Sequence, residues 1–125
     1  MNALGKKRGA SGRVLLPRFR VLRGREIALG PGKAELLGHI ARTGSIARAA
    51  SRMGMSYMRA RKLIKTMNAC FRQPLVVTTR GGRERGGARL TKTGRTALQL
   101  YQRLQTRSLE ACADIWRQPG RLVRD

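Results

Sequence analysis

The sequence predicts a mainly α fold with small β-hairpins (α+β), and three observations indicate it. Apolar residues recur at helical spacing in three parts of the chain, near residues 33–42, 46–71 and 91–117. Two further parts, near residues 14–29 and 75–90, contain short strand-like runs around glycine-rich turns. The 125 residues have the length of one domain, which can bury a modest core without disulfides or metal ions.

The balance of charge restricts the class of partner. The chain carries 28 basic and 6 acidic residues, a formal net charge of +22, and has no acid between Glu35 and Glu84. This excess predicts a polyanionic partner, which on charge alone is nucleic acid, an anionic membrane surface or an acidic protein. No apolar run reaches membrane-spanning length and no secretory signal is visible, so we expect a cytoplasmic, nucleoid-associated protein without a membrane partner.

The first third of the chain predicts a basic tail, a strand pair and one helix. Residues 1–12 are rich in Gly, Lys and Arg without periodicity, so we expect a flexible tail. Val14 to Leu29 alternates apolar and basic residues around a turn at Gly24, as a half-buried hairpin does. A helix then covers about residues 33–42, with Pro31 in its first turn. Its single histidine, His39, has no second ligand at helical spacing and is expected to be structural or exposed.

Two helices joined by a tight turn are predicted in the centre. Ile46, Ala49, Ala50 and Met53 share one face of the first helix, and Gly54 ends it. Ser45 and Ser56 are suitable N-caps for the two helices. The second helix, about residues 56–71, has its own apolar stripe. A short glycine-containing turn between two amphipathic helices is typical of a helix-turn-helix.

A glycine- and arginine-rich hairpin follows these helices. Residues 75–79 form a strand-like run rich in β-branched residues, and residues 88–90 form a second short strand. The segment 80–87 between them holds four glycines, which allow the backbone a flexible and close approach to a partner. A hairpin placed directly after such a helix is a wing, and the wing 80–89 suits contacts with phosphates or the minor groove. The alternative is a disordered Arg-Gly-Gly segment that binds RNA.

The last predicted element is one long helix with two apolar stripes. Thr91 is its N-cap, Gly94 is a mild internal weakness, and Pro119-Gly120 ends it. One small domain cannot cover both stripes, so we expect one to pack on the body and the other on a partner subunit. The residues predicted for dimerisation are Leu98, Tyr101, Leu104, Leu109, Cys112, Ile115 and Trp116.

Several linked motifs resemble a known family. They are Leu29-Gly30-Pro31-Gly32, Thr43-Gly44-Ser45-Ile46, Ala49-Ala50 through Gly54-Met55-Ser56-Tyr57, Pro74-Leu75-Val76, Arg80-Gly81-Gly82 to Gly86-Gly87 and Leu90-Thr91-Lys92-Thr93-Gly94. Together they resemble the N-terminal DNA-binding domain of the molybdate-responsive ModE regulators and, more loosely, the winged domain of LysR-type regulators. The resemblance implies a homodimeric winged helix-turn-helix with a long C-terminal dimerisation helix. It does not extend to the molybdate-binding part of ModE proteins, so no molybdate site is expected in this chain.

The domain boundaries follow from these elements. We expect a tail at 1–12, a winged helix-turn-helix domain at 13–90, a dimerisation helix at 91–117 and a tail at 118–125. In this arrangement the second helix of the motif enters the major groove of double-stranded DNA. Arg61 suits a guanine edge and Met58 a thymine methyl. Ser56, Tyr57 and Lys65 suit phosphates, because they lie at the margins of the helix. The full predicted DNA-binding set is Ser45, Ser56, Tyr57, Met58, Arg59, Arg61, Lys62, Lys65, Arg80, Arg83, Arg85 and Arg89.

Catalysis is not expected, and neither is a metal ion or cofactor. The six acids are scattered, the single histidine has no visible partner, and no nucleophile has a base. Cys70 and Cys112 lack metal or redox spacing and are interpreted as buried small hydrophobes. Two functions stay open at this point: a sequence-specific transcriptional regulator, and an architectural nucleic-acid binder without sequence preference. A heterodimer partner subunit is a third possibility.

Overall fold

The computed structural model describes residues 13–79 and 87–124, and for residues 118–120 the backbone alone. The chain is mostly helical with two small antiparallel hairpins, which confirms the predicted fold class. Its elements in order are β1 (Val21–Arg23), β2 (Glu26–Leu29), α1 (Pro31–Thr43), α2 (Ile46–Arg52), α3 (Tyr57–Cys70), β3 (Val76–Thr78), β4 (Ala88–Leu90) and α4 (Lys92–Leu122).

Three helices begin at the predicted side-chain caps. The hydroxyl of Ser45 accepts the backbone N–H of Arg48, and that of Ser56 accepts the N–H of Arg59, each at 3.1 Å. The hydroxyl of Thr91 accepts the N–H of Gly94 at 2.9 Å. Each bond satisfies a backbone donor that the first turn of a helix leaves open.

The turn between α2 and α3 contains Gly54 at φ 65°, a left-handed backbone that glycine adopts without strain. This turn brings the two helices of the motif together through small residues. Ala49, Ala50 and Ala60 are fully or almost fully buried. Around them, α1 contributes a large part of the core, which includes Leu36, Leu37, Ile40, Ile46, Met67 and Leu75.

The segment before β1 differs from the predicted strand pair. β1 begins only at Val21, and residues 13–20, here called the N-terminal strap, have no regular secondary structure. Side chains of α4 satisfy the strap's carbonyls: Tyr101 Oη donates to Phe19 O at 2.7 Å, and Gln105 Nε2 donates to Pro17 O at 3.3 Å. The strap therefore packs on α4 instead of extending the hairpin, and Pro17 has no N–H for a sheet ladder.

The last helix also differs from its prediction at the C-terminal end. Its backbone stays helical through Pro119 and Gly120 and ends at Leu122. A proline removes one N–H from the helical ladder, and here only one further turn follows it. Arg13 of the strap donates to the carbonyl of Val123 at 3.0 Å, which gives the helix end a hydrogen-bond donor.

The base of the second hairpin is tied to the motif. β3 and β4 pair in antiparallel register, with Val77 opposite Arg89. Gly87 forms a bridge with Ser45, and the N–H of Ala88 donates to Gly44 O at 3.0 Å. The link between α1 and α2 thus acts as a third, minimal strand. Residues 80–86 of the predicted wing lie outside the described residues.

Gly94 is a structural requirement, which corrects its prediction as a mild weakness. It is buried in the first turn of α4, and a Cβ built there would overlap with the carbonyl oxygen of Leu75. The same carbonyl accepts the N–H of Thr91 at 2.9 Å. Only glycine lets α4 approach β3 this closely.

The contrast between two helical glycines is testable. Gly94→Ala should lower the free energy of unfolding by about 1–3 kcal/mol or more, because the backbone of Leu75 must move. The new methyl group of Gly38→Ala in α1 would meet only the Arg42 guanidinium, at 3.7 Å. This variant should therefore raise the free energy of unfolding by about 0.5–1 kcal/mol. Urea unfolding of both variants measures these free energies. Changes of the same sign in the two variants would contradict the close contact between Gly94 and Leu75.

Candidate nucleic-acid interface

A basic groove lies between α3 and the strand β3. Its volume is about 1090 Å³. The side of α3 contributes five residues of the predicted DNA-binding set: Met58, Arg59, Arg61, Lys62 and Lys65. Val77 and Thr78 of β3 form the opposite wall. No acidic residue lines the groove within the described part of the chain, so its positive charge is not neutralised locally.

Helical periodicity places these side chains. Met58, Arg61, Lys62 and Lys65 are spaced by three, one and three residues, which puts them on one side of α3. Ala60, Ile64 and Met67 on the other side are buried in the core. Met58 is 73 % exposed, an unusual position for a large apolar side chain, and so offers an apolar contact at the groove.

Tyr57 supports Arg61. Its ring packs against the core, and its hydroxyl accepts a hydrogen bond from Arg61 Nη1 at 3.3 Å. The guanidinium carbon of Arg61 lies 5.8 Å from the centre of the same ring, within cation–π range. Both contacts restrict the Arg61 side chain before it meets a partner. Tyr57, predicted as a phosphate contact, is half-buried, and its hydroxyl is engaged by Arg61.

The two predicted serines have different positions. Ser45 is only 3 % exposed and its hydroxyl caps α2, so the structure does not present it to a partner. Its prediction as a DNA contact is wrong, because a cap between α1 and the wing base is enclosed by both. Ser56 also caps a helix, α3, but is exposed at the edge of the motif.

The wing arginines are only partly described. Arg89 on β4 is exposed and lies directly opposite Val77 on β3. Side chains of paired residues in an antiparallel sheet point to the same face, so Arg89 shares the face of Val77, a residue of the groove wall. Arg80, Arg83 and Arg85 lie outside the described residues.

Asn68 joins the two walls of the groove and was missed by the sequence reasoning. Its Oδ1 accepts the N–H groups of Leu75 and Val76, at 2.8 and 3.2 Å. Its Nδ2 donates to Val76 O at 3.0 Å. The side-chain amide of Asn68 thereby makes hydrogen bonds to the backbone at the start of β3 that a neighbouring strand would otherwise make. One sequence feature could have indicated this role: Asn68 is a polar residue close to the buried side of the predicted helix, three positions before its end.

The residues predicted for dimerisation divide between two surfaces. Tyr101 is 2 % exposed and Leu98 packs against the core, so both are used within one chain. Leu109, Cys112 and Trp116 are half-buried, and Leu104 and Ile115 are exposed. The prediction of Tyr101 as an interface residue is therefore wrong, because the strap and the body already cover it. Cys70 and Cys112 are both half-buried instead of buried.

The described residues contain no group of three His, Cys, Asp or Glu side chains placed to hold a metal ion. None of the described helices combines the length and the apolar character needed to cross a membrane.

Comparison with known proteins identifies the family. Residues 33–95, just over half of the chain, match the bacterial regulatory helix-turn-helix protein, lysR family. The chain belongs to this family. The match covers α1, the helix-turn-helix, the wing strands and the first turn of α4, which are the elements that build the groove. The family consists of transcriptional regulators, not enzymes, which confirms the expectation that the chain is not catalytic.

Two relatives show the ModE resemblance. The molybdenum transport protein ModE of Azotobacter vinelandii is 44 % identical over 78 residues, 62 % of this chain and 29 % of that protein. The DNA-binding transcriptional dual regulator ModE of Escherichia coli K12 is 37 % identical over 87 residues, 67 % of this chain and 33 % of that protein. The chain therefore spans about a third of the length of the curated relatives it matches.

A solved structure agrees with this assignment. The crystal structure of ArgP from Mycobacterium tuberculosis superposes with a TM-score of 0.50 at 26 % sequence identity. The match covers 68 % of this chain and 30 % of that one. Sequence and structure thus identify the same helix-turn-helix type, and the ModE relatives confirm the resemblance drawn from the motifs.

The Asn68 contact leads to a prediction about stability. Asn68→Leu should lower the free energy of unfolding by about 2 kcal/mol or more, because two strand N–H groups lose their acceptor. Asn68→Asp keeps the accepting oxygens and loses only the donation to Val76 O, so its loss should be smaller. Urea unfolding of the two variants gives the comparison. An equal loss would show that the contacts with Leu75 and Val76 do not stabilise the wing base.

Proposed function

We propose that this protein is a sequence-specific DNA-binding transcriptional regulator that acts as a homodimer. Its family supports DNA binding and regulation in general. The observation that carries the finer proposal is the acid-free groove with an arginine held in place by a tyrosine. Specific reading needs side chains with fixed geometry, and Arg61 has two contacts that fix it.

The groove suits one orientation on DNA. The recognition helix, α3, places its N-terminal half in the major groove. Arg61 then makes a bidentate contact with a guanine edge, and Met58 contacts a thymine methyl. Arg59, Lys62 and Lys65 lie on the same exposed side and bind phosphates, whose contacts set register and carry no sequence information.

The wing completes the contact. Arg89 on the groove face of β4 binds the backbone beside the recognition helix. Arg80, Arg83 and Arg85 in the wing 80–89 are proposed to reach backbone or minor groove, where arginine recognises a narrow groove electrostatically. The ties of the wing base to Gly44 and Asn68 give this hairpin a fixed origin on the motif.

The homodimer is proposed from an exposed stripe on α4. Leu100, Leu104, Ala111 and Ile115 are exposed and spaced by four, seven and four residues, the interval of a coiled-coil seam. When two copies pair antiparallel about the middle of this stripe, Leu100 of one copy lies opposite Ile115 of the other, and Leu104 lies opposite Ala111. This self-complementary arrangement covers the whole stripe and is the isologous contact of a two-fold dimer.

A molybdenum link is proposed at the level of the operator. The names of the ModE relatives refer to molybdenum transport and to transcription. The shared part is the DNA-reading part, so the chain would bind operators of the same kind. Genome-wide mapping of bound DNA tests this. Sites near oxyanion-transport genes support the link, and unrelated sites remove it.

The second candidate function is architectural binding without sequence preference, favoured by the net charge of +22. Such binding rests on phosphate neutralisation, and affinity then falls by about 10³ or more between low and physiological salt. Competition with bulk genomic DNA at physiological salt separates the two functions. A specific complex persists under this competition, and a coating protein is lost to the competitor.

The Arg61 proposal predicts a loss of discrimination. Arg61→Ala should lower the preference for the mapped site over a site with one changed G·C pair by about 1–3 kcal/mol. Its fold and its affinity for random duplex should change little. Arg103→Ala on the exposed surface of α4 removes the same charge away from the groove and is the matched control. Equal effects of both variants in a gel-shift titration would show that Arg61 acts through charge alone.

The stripe on α4 predicts the response of the oligomeric state. Leu104→Glu places two charges in the seam of the dimer and should give monomers in sedimentation equilibrium, because a buried unpaired charge is costly. Gln99→Glu adds the same charge on an exposed polar side of α4 and should leave the dimer intact. The monomer should also lose affinity for a two-fold site with half-sites about 34–36 Å apart. A Leu104→Glu dimer would contradict this seam.

A further inference from the structure

A second cavity shares no lining residue with the groove and is not used by the proposed DNA binding. It lies between the N-terminal strap, α1 and α4, and has a volume of about 360 Å³. This volume is at the lower end of small-molecule sites, which measure about 300–1000 Å³. Leu16 and Pro17 of the strap and Leu98 of α4 give it apolar walls.

One buried polar group in its wall lacks a partner. Gln105 is 6 % exposed, and its Nε2 donates to Pro17 O. Its Oε1 is buried and has no hydrogen-bond partner among the described residues. A buried carbonyl oxygen of this kind is uncommon, and a donor from a bound molecule would satisfy it.

Opposite charges line the cavity, with Glu35 and Arg42 on one side of α1 and Arg18 on the strap. Glu35 and Arg42 are seven residues apart and so lie two turns from each other on the same side of the helix. Arg42 Nη2 contacts His39 Nδ1 at 3.1 Å. Burial and the Arg42 charge lower the pKa of His39, which keeps the ring neutral and Nδ1 able to accept from Arg42. The guanidinium is thus held at the cavity by its neighbour.

A glycine between these charges keeps the space open. Gly38 lies in the middle of α1, where glycine is less favourable than alanine. A Cβ at this position would meet nothing closer than the Arg42 guanidinium at 3.7 Å, so packing does not require a glycine here. A longer side chain would project among Glu35, His39 and Arg42, and would fill the cavity.

We infer that this cavity binds an apolar α-amino acid. The carboxylate of the amino acid pairs with Arg42, and its ammonium group pairs with Glu35. The ammonium group also donates an N–H hydrogen bond to Gln105 Oε1. The apolar side chain rests on Leu16, Pro17 and Leu98. The guanidinium groups of Arg18 and Arg42 favour the carboxylate of the ligand, and the carboxylate of Glu35 selects a zwitterion over a simple anion.

A ligand in this site would affect both the contact between the strap and α4 and the helix α1. The strap, α1 and α4 all contribute to its walls, and α1 packs directly on α2 of the DNA-reading motif. A ligand that bridges the strap and α4 stabilises their contact by mass action, because it binds the folded arrangement only. Any coupling between ligand and DNA is reciprocal, so each would change the affinity of the other by the same factor.

The test uses L-leucine as the probe, with the full chain and calorimetric titration. Leucine at up to about 10 mM should bind, a range that detects weak sites. Leucinamide lacks the carboxylate and 4-methylpentanoate lacks the ammonium group. Each should bind about tenfold more weakly or worse, because each loses one charge-assisted pair. Equal binding of all three compounds would overturn the assignment of a zwitterion.

Variants locate the site. Gly38→Leu should abolish leucine binding and leave the affinity for DNA without ligand unchanged, because α3 and the wing are not altered. Ala41→Leu adds the same side chain to an exposed position of α1 outside the cavity and should keep leucine binding. Arg42→Gln, which fills no space, should weaken leucine binding by about tenfold or more. No binding of leucine by the unaltered chain, or unchanged binding in Gly38→Leu and Arg42→Gln, would overturn the inference.

Discussion

The backbone N–H and carbonyl of Leu75 hold the elements of the helix-turn-helix and the wing in their arrangement. Its N–H donates to Asn68 of α3 at 2.8 Å, and its carbonyl accepts the N–H of Thr91 at 2.9 Å. The side chain is fully buried, and Gly94 of α4 lies against the carbonyl. One residue therefore fixes β3 against the recognition helix on one side and against the last helix on the other.

This arrangement has a mechanical consequence for a dimeric reader. The exposed stripe proposed for dimerisation lies on α4, and the groove lies on α3. If these helices moved freely, the distance between two half-sites would not be defined, and two-fold DNA would gain little from a second subunit. Hydrogen bonds to the Leu75 peptide and the close approach at Gly94 transmit the position of α4 to α3. The strap adds a second attachment through Tyr101 and Gln105 on another side of α4.

Local patterns were sufficient for most of the fold. Ser45, Ser56 and Thr91 cap helices because capping is local chemistry, and the apolar periodicity assigned the buried sides of the helices. The strap, the role of Gly94 and the Asn68 contact could not be predicted, because each depends on a residue distant in the sequence. For the groove, periodicity was enough to group Met58, Arg61, Lys62 and Lys65. The burial of Ser45 was not predicted, since a cap and a surface contact have the same sequence signature.

The high positive charge and the groove geometry contribute different parts of recognition. Phosphate attraction grows with every Lys and Arg wherever it lies, and raises the affinity for all sequences equally. Selectivity arises only from groups whose position distinguishes one base pair from another. Within the described part of α3, the contacts with Tyr57 restrict the position of the Arg61 guanidinium, whereas the charges of Lys62 and Lys65 are carried on flexible side chains. Extra charge without this constraint would increase non-specific binding and decrease selectivity. We therefore propose the pairing of Arg61 with a partly buried tyrosine as the feature through which so basic a domain would discriminate between sites.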